Sequence, residues 1–215
     1  MTRQGNDHVT AGMVLTQLAP ARAPVDSEAR AVDLLASLAA RGAASTRYYR
    51  SIEHPHSCAM VETFETLQSI ERVFDSSRTD GNFAWARHVC TEVADDGPSH
   101  EPAPILMVVA FCVPESRRQE VDEWYEQEHA PLLLKADGWL RARRYHTILS
   151  QGHAQWTHVA LHDLSDVAVL DSRERAFARS TAWRARLSCE PWFEQAGRWV
   201  YERIGAAELP PPVAL

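Results

Sequence analysis

The residues with the clearest chemical potential lie in segment 115–134, which reads as an amphipathic helix. Apolar side chains recur there at spacings of three and four residues, among them Trp124 and Tyr125, as expected for a stripe that faces a core. The same stripe contains Glu128 and His129. A carboxylate and an imidazole on a buried stripe need an explanation, because burying either group unpaired costs free energy. An imidazole titrates near pH 6.5, so His129 is a candidate for giving or taking a proton at neutral pH.

Two roles for His129 stay open on this pattern alone. In a structural role, Pro131 ends or kinks the helix, and His129 lies in the last turn, where the helix dipole favours a cation. Glu128 could then simply pair with Arg143 or Arg144 from the next strand. In a chemical role, the imidazole faces a substrate.

No combination of residues in the sequence predicts a metal or cofactor site. His158 and His162 lie on one face of a predicted strand, but residues four apart on a strand are about 13 Å apart, whereas a zinc–nitrogen bond is only about 2.0–2.1 Å. His158 is a candidate pocket residue, although a surface position explains it equally well. Arginines between residues 173 and 186 alternate with acidic residues, and we interpret them as a mixed-charge helix face without a phosphate cradle. Nucleotide-binding, hydrolase and zinc-protease motifs are missing from the sequence.

The elements that would position these residues read as two similar halves. In the second half, a β-α-β-β-α-β order is predicted over residues 105–113, 115–130, 140–149, 156–164, 166–179 and 197–204. The first half repeats this order more loosely, over residues 12–18, 27–40, 46–53, 58–64, 67–75 and 85–93.

Such an order predicts the fold class. Each βαββαβ unit forms a four-stranded antiparallel sheet with both helices on one face, as in ferredoxin-like folds. We therefore expect an α+β fold of two ferredoxin-like repeats whose antiparallel sheets pack face to face as an α+β barrel. The predicted organisation is a degenerate N-terminal repeat at residues 1–94, a linker at 95–104, a C-terminal repeat carrying the site at 105–208 and a tail at 209–215.

Composition excludes several classes of protein. The 22 basic and 29 acidic residues give a net charge of −7, which argues against nucleic acid as a partner. The longest apolar run, residues 105–114, has about half the length that spans a bilayer. The N-terminal apolar stretch is too short for a secretory signal, and the four cysteines show no paired spacing. We expect a soluble, cytoplasmic protein with no membrane partner.

One sequence motif and the residues that follow it resemble those of a known family. The motif W-Y-x-x-E-H-x-P covers residues 124–131 and is followed by Gly138-Trp139 and Arg143-Arg144-Tyr145. This series is similar to the EthD-like branch of the dimeric α+β barrel superfamily. Family members include cofactor-independent isomerases, cyclases and decarboxylases, in which a helix histidine and a strand tyrosine often face one pocket. The resemblance implies that His129 and Tyr145 play these parts here.

The residues and the resemblance together give a functional hypothesis. The chain is expected to be a cofactor-independent lyase or isomerase (cyclase, dehydratase or decarboxylase type) acting on a small aromatic or polyketide-like carbonyl compound. In this hypothesis His129 is the general base, Tyr145 donates to the developing oxyanion, and Glu128 orients the imidazole. The expected substrate-binding residues are Trp124, Tyr125, Trp139 and His158. The alternatives are a cofactor-free or haem-dependent oxygenase of the same superfamily, or a non-catalytic small-molecule-binding protein.

The first half contains no counterpart of His129, because its predicted helix reads LLASLAA at residues 34–40. We expect that half to act as scaffold. A tandem chain covers both of its own sheets, so a homodimer would use surfaces outside the internal barrel.

Overall fold

A computed structural model describes residues 11–21, 27–39, 42–66, 83–98 and 102–209. The predicted helix at residues 67–75 lies outside the described residues, as do residues 210–215 of the predicted tail.

Within these ranges, eight strands form one closed antiparallel barrel. They are β1 (Gly12–Pro20), β2 (Ser45–Ser51), β3 (Cys58–Phe64), β4 (Phe83–Asp96), β5 (Ile105–Phe111), β6 (Trp139–Gly152), β7 (His158–Leu164) and β8 (Gly197–Arg203). The order around the barrel is β1-β3-β2-β8-β5-β7-β6-β4, and β4 pairs with β1 to close it.

The two halves contribute sheets of the same order. The first half gives β4-β1-β3-β2 and the second gives β8-β5-β7-β6, and the halves join where β2 meets β8 and β4 meets β6. The predicted α+β fold, with two ferredoxin-like sheets facing each other as a barrel, is confirmed. One boundary differs from the prediction, because β4 continues to Asp96 while the linker was expected to start at residue 95. Pairing with β6 extends β4, and Asp95 accepts hydrogen bonds from the Arg141 guanidinium there.

The barrel interior is filled by alternate side chains from both halves. Successive residues of a strand point to opposite faces of the sheet, so Leu106, Val108 and Ala110 of β5 point inwards while Met107 of the same strand packs outside. Trp199 and Tyr201 of β8 both contact this interior cluster.

Helices cover the outer face of each sheet. The first half is covered by α1 (Ser27–Leu38), whose buried residues pack against β1 and β3. A series of short helices covers the second half: α2 (Arg118–Trp124), α3 (Ala130–Leu133), α4 (Arg173–Ala178), α5 (Ala182–Leu187) and α6 (Pro191–Glu194). Single 3₁₀ turns lie at Glu115–Arg117, Val167–Asp171 and Ala206–Glu208. No helix in the described part of the chain is long and apolar enough to cross a membrane.

The predicted helix at residues 115–130 contains an irregular turn. Between α2 and α3, the segment Tyr125–His129 is a π-helical turn, in which the Ala130 amide donates to the Tyr125 carbonyl. Pro131 has no amide hydrogen, and its ring would collide with a carbonyl of the preceding turn in a regular α-helix. The wider turn relieves this conflict and lets the helical path continue to Leu133. Turns of this kind are frequent at functional sites.

The second predicted helix, residues 166–179, is divided in the structure. Ser172 has extended backbone and its hydroxyl accepts from the Arg175 amide, so a new helix begins there. Thr181 starts α5 in the same way. Helices α5 and α6 were not predicted. Caps of this kind end one helix and begin the next within two or three residues, which changes the direction of the chain.

Candidate functional site

A cavity of about 230 Å³ lies between the outer face of the second half's sheet and its helices. Three of the predicted substrate-binding residues, Trp124, Tyr125 and Trp139, line it together with Phe111 and Phe193. Strand β5 contributes Phe111 and the start of β6 contributes Trp139. The helical segments contribute Trp124, Tyr125 and Phe193. An apolar, aromatic lining of this kind suits a flat, compact organic molecule.

His129 lines the same cavity and is held by aromatic rings. Its imidazole stacks on Trp124, with ring centroids 4.3 Å apart and an interplanar angle of 24°, and meets the edge of Tyr125. Burial, with the nearby charge of Arg184, lowers the pKa of His129 to about 3. The ring is therefore neutral at physiological pH.

The two ring nitrogens of His129 have different surroundings. Nδ1 is buried and has no partner among the described residues, while the Ala178 backbone acts on the ring and opposes the lowering of its pKa. A neutral imidazole carries one proton, and in the tautomer protonated at Nε2 the lone pair of Nδ1 is free. A buried polar atom with no partner is rare, and in a cavity it indicates a place for a ligand.

The second cavity histidine, His162, was not assigned to the site from the sequence. The Trp139 indole donates to His162 Nδ1 at 3.3 Å, so the proton of this ring is on Nε2, which has no partner among the described residues. Burial and the neighbouring His129 lower the pKa of His162 to about 3. The sequence did contain a signal, because His162 alternates with Ala160 and His158 on one face of β7. That face packs under the helices.

The two histidines offer complementary groups to one cavity. His129 has an unpaired acceptor and His162 an unpaired N–H donor. An acceptor can take a proton from a substrate, and a donor can stabilise the oxygen on which negative charge develops. His129 and His162 thus share the cavity in which the sequence analysis had placed His129 and Tyr145.

Tyr145 does not line the cavity. It lies in the interior cluster of the barrel, on the opposite side of the sheet from His129. Its side chain hydrogen-bonds with Glu92 and Arg143, and burial raises its pKa to about 12. The expectation that one pocket holds His129 and Tyr145 is corrected by the alternation of β6, in which Ala142 and Arg144 point outwards and residue 145 points inwards.

Substitution of Tyr145 provides a direct check of this placement. We expect Tyr145→Phe to lower the free energy of unfolding by about 1 kcal/mol, because it removes one buried hydroxyl with its hydrogen bonds. Binding or turnover at the cavity beside His129 should stay within twofold of the wild-type value. Urea unfolding measures the first effect and ligand titration the second. A large loss at the cavity with unchanged stability would contradict the placement.

Glu128 is directed away from the imidazole. Its Oε1 accepts a hydrogen bond from the Thr181 hydroxyl at 2.6 Å, and it does not line the cavity. The expected pairing with Arg143 or Arg144 is also absent among the described residues, because Arg143 pairs with Asp163 and Arg144 with Asp122. Glu128 ties the π-helical turn to the start of α5. The orienting role predicted for it is not supported by these contacts.

His158 lies beside a separate void of about 10 Å³. Together with Asp122 and His146 it brings three potential ligand atoms within 4.8 Å of one another. Burial opposes ionisation of Asp122, but the hydrogen bond and charge of His146 and the charge of Arg144 hold its pKa below the ordinary value. Since His146 and Arg144 already contact this carboxylate, we interpret the cluster as a polar contact between α2 and the sheet. Asp122 is thus half-buried.

Arginines form the polar side of the cavity. Arg175, Arg179, Arg184 and Arg198 line it. The interpretation of the arginines in residues 173–186 as a mixed-charge surface is therefore wrong for three of them. The break between α4 and α5 turns these three side chains toward one space, which a single long helix would not do.

Buried neutral histidines predict acid sensitivity. Burial is the main cause at each site, and it lowers the pKa to about 4 for His88 and His158 and to about 3 for His129 and His162. In the unfolded chain these groups titrate near pH 6.5, so below that pH the unfolded state binds more protons and stability falls as pH falls. We expect a loss of about 1.4 kcal/mol per pH unit for each such histidine between roughly pH 6 and 4.

Urea unfolding at pH 7.5, 6.5, 5.5 and 4.5 measures this dependence. His162→Asn keeps an acceptor for the Trp139 indole. It should make the dependence of the unfolding free energy on pH less steep by the contribution of one histidine. A stability that does not change between pH 7.5 and 4.5 would contradict the buried neutral state.

Comparisons with known proteins add to this picture. No family model and no curated protein matches the chain. Solved structures do match. An anthrone oxidase-like protein is similar with a TM-score of 0.67 and 9% identity, over 92% of this chain and 93% of that chain. Chlorite dismutase from Candidatus Nitrospira defluvii is similar with a TM-score of 0.58 and 12% identity, over 92% of both chains.

A third structure is an uncharacterised ferredoxin-fold protein from Listeria monocytogenes, described as related to antibiotic biosynthesis monooxygenases. It has a TM-score of 0.51 and 4% identity, over 91% of this chain and 96% of that chain. At such low identity these likenesses concern the fold. The chain thus has the fold of the ferredoxin-like α+β barrels.

Proposed function

We propose that this chain is a cofactor-independent oxygenase. In the cavity beside His129, it would remove a proton from a compact aromatic carbonyl compound and let the resulting enolate react with dioxygen. The observation that carries the proposal is the neutral His129 ring, whose Nδ1 is buried without a partner among the described residues and which stacks on Trp124 in an aromatic cavity.

The first step is proton transfer to His129 Nδ1 from a carbon that is conjugated with a carbonyl, such as the methylene of an anthrone, so that the negative charge moves to the oxygen. An imidazole with a pKa of about 3 is a weak base. The guanidinium groups of Arg175, Arg179 and Arg184 compensate, because positive charge near the cavity stabilises the enolate and so increases the acidity of the bound C–H. The N–H of His162 is available to the enolate oxygen.

The second step consumes dioxygen. For an anthrone, the carbanion transfers electrons to dioxygen and forms a C–O bond, and His129 returns the proton to the peroxide. Loss of water from the hydroperoxide then gives the quinone. In sum, one anthrone and one O₂ give one anthraquinone and one water, so dioxygen itself is the oxidant. A redox cofactor is not needed for this balance.

The lyase or isomerase hypothesis shares the first step and differs after it. The names of the similar structures, an anthrone oxidase-like protein and a relative of monooxygenases, favour the oxygenase. A cyclase, dehydratase or decarboxylase would use the same base on the same class of substrate. Dioxygen consumption distinguishes the two outcomes.

A haem-dependent oxygenase is a poorer match for this cavity. Its volume of about 230 Å³ lies below the roughly 300–1,000 Å³ of pockets for drug-sized ligands, and a haem is larger than most of those ligands. The residues around the cavity therefore do not fit a haem, and no step is assigned to one.

An oxygen-electrode assay with anthrone tests the proposal. Purified protein in metal-chelating buffer should consume dioxygen and form anthraquinone in a one-to-one ratio, above the spontaneous rate. Hydrogen–deuterium exchange at the anthrone methylene without dioxygen uptake would favour the lyase or isomerase class. Neither exchange nor uptake, with anthrone bound, would favour a non-catalytic binding protein.

We also infer that the chain is a tandem duplication of an EthD-like unit. The two sheets have the same strand order. Glu62 is the fifth residue of β3 and pairs with the third residue of β1, and His162 has the same two positions in β7 and β5. The W-Y-x-x-E-H-x-P motif in residues 124–131 supports the EthD-like assignment of the second unit.

A further inference from the structure

One side of the cavity carries positive charge from three elements. Arg175 lies in α4, Arg179 directly follows it, Arg184 lies in α5, and Arg198 lies in β8. We call these four residues the arginine collar. Aromatic rings line the same cavity, and the Arg184 guanidinium lies over the Phe193 ring at 5.3 Å from its centroid, so cationic and apolar groups meet in one space.

The collar has few counterions. Among the described residues, no carboxylate lies within 4.0 Å of Arg175, Arg179 or Arg184, and Arg198 is 3.9 Å from Glu53. The Arg175 guanidinium donates to the Leu170 carbonyl, and the Arg184 guanidinium donates to the Arg179 carbonyl at 3.1 Å and lies over the Phe193 ring. None of these contacts supplies a negative charge, while Arg179 and Arg198 are exposed to solvent.

Mutual repulsion follows from this arrangement. Burial, followed by the charges of Arg198 and Arg179, lowers the pKa of Arg175 despite the attraction of Asp171. Burial and Arg179 lower the pKa of Arg184 as well. The two histidines of the cavity are neutral and do not add charge. In a chain with a net charge of −7, such a cluster of cations is an exception, and an anion bound there would remove the repulsion.

We propose that the substrate of this cavity carries a carboxylate, which the arginine collar binds while the aromatic part of the molecule lies against Trp124 and Trp139. The proposal rests on the proposed function in taking the cavity as the active site. A guanidinium presents a planar pair of N–H donors that matches the two oxygens of a carboxylate. The limited volume of about 230 Å³ favours this small anion over a bulky one. The substrate class is therefore an aromatic acid whose reacting C–H group faces His129 Nδ1.

A pair of isosteric probes tests the proposal in binding alone. Binding of 2-naphthoate and of its neutral amide, 2-naphthamide, is followed by isothermal titration calorimetry and by the fluorescence of the cavity tryptophans. The wild-type protein should bind 2-naphthoate at least about tenfold more tightly than 2-naphthamide, since a hydrogen bond to a charged group is stronger than one to a neutral group.

Variants then locate the charge. Arg179→Gln and Arg184→Gln should each weaken 2-naphthoate binding about tenfold to hundredfold and leave 2-naphthamide binding within threefold. Arg173→Gln is the matched control, because Arg173 is exposed in the same α4 helix and does not line the cavity. It should change neither affinity by more than twofold. Thermal unfolding of each variant shows whether the fold is kept.

The outcomes separate this proposal from the proposed function. Equal affinity of the two probes, or the same loss in Arg173→Gln as in Arg179→Gln, would overturn the carboxylate site. His129→Gln should still bind 2-naphthoate, so an inactive enzyme with intact charge-dependent binding would contradict only the reaction. Turnover of neutral anthrone by a protein that does not distinguish the probes would contradict only the collar.

Discussion

His129→Gln is expected to lower the rate of anthrone-dependent dioxygen uptake by about a hundredfold to ten-thousandfold, the range that a positioned general base contributes. Glutamine is close to histidine in length and can place its amide nitrogen near the position of Nε2. It has no counterpart of the free Nδ1 lone pair. The measured quantities are kcat and kcat/KM in the oxygen electrode.

The size of the effect distinguishes catalysis from packing. Loss of the stacking between His129 and Trp124 would change binding by about 0.5–1.5 kcal/mol, or roughly two- to tenfold. A decrease larger than that, seen in kcat as well as in kcat/KM, assigns the proton transfer to His129. The control is His54→Gln, an identical change at an exposed turn residue. Full activity of His129→Gln, or an equal loss in His54→Gln, would exclude the base.

Arg87→Met is expected to destabilise the fold by about 3–5 kcal/mol, the cost of leaving a buried charge without its partner. Arg87 and Glu62 are both fully buried under α1, with a nitrogen–oxygen distance of 3.3 Å. Arg87 also donates to the Leu38 carbonyl at 3.3 Å, near the end of α1. Methionine keeps part of the side-chain volume and removes the charge. The free energy of unfolding from urea titration measures the loss.

The double variant Glu62→Gln with Arg87→Met is the control for this prediction. Without either charge, it should recover at least about half of the lost free energy, because no negative charge is then buried without the guanidinium of Arg87. Arg87→Met within 1 kcal/mol of the wild-type stability would contradict a buried ion pair. So would a double variant that is no more stable than Arg87→Met.

This ion pair also shows that the two halves place different side chains at equivalent positions of their sheets. Glu62 occupies in β3 the place that His162 occupies in β7, opposite the third residue of the adjacent strand in each case. In the second half that place contributes to a cavity lined by His129 and arginines. In the first half it is occupied by a carboxylate that Arg87 neutralises. The expectation that the first half acts as scaffold agrees with this geometry and stays a prediction.

The sequence by itself determined the strands and the position of His129 on the core-facing side of its helix. Strands such as β3 and β7 follow from β-branched and aromatic residues bounded by turn residues, and β3 was predicted with the same limits that the structure has. The helical spacing of three and four residues placed Trp124, Tyr125 and His129 on one buried stripe. Both predictions rest on local periodicity, which can be read from the sequence without any information on tertiary contacts.

The tertiary structure alone decided which face of each strand belongs to the site. Both faces of the second half's sheet are buried, one in the barrel and one under the helices, so the alternation of polar and apolar residues cannot tell them apart. For this reason Tyr145 was assigned to the cavity and His162 was not. The arginine collar was missed for a related reason: caps at Ser172 and Thr181 turn short helices so that distant charges converge, and that convergence depends on packing against the sheet.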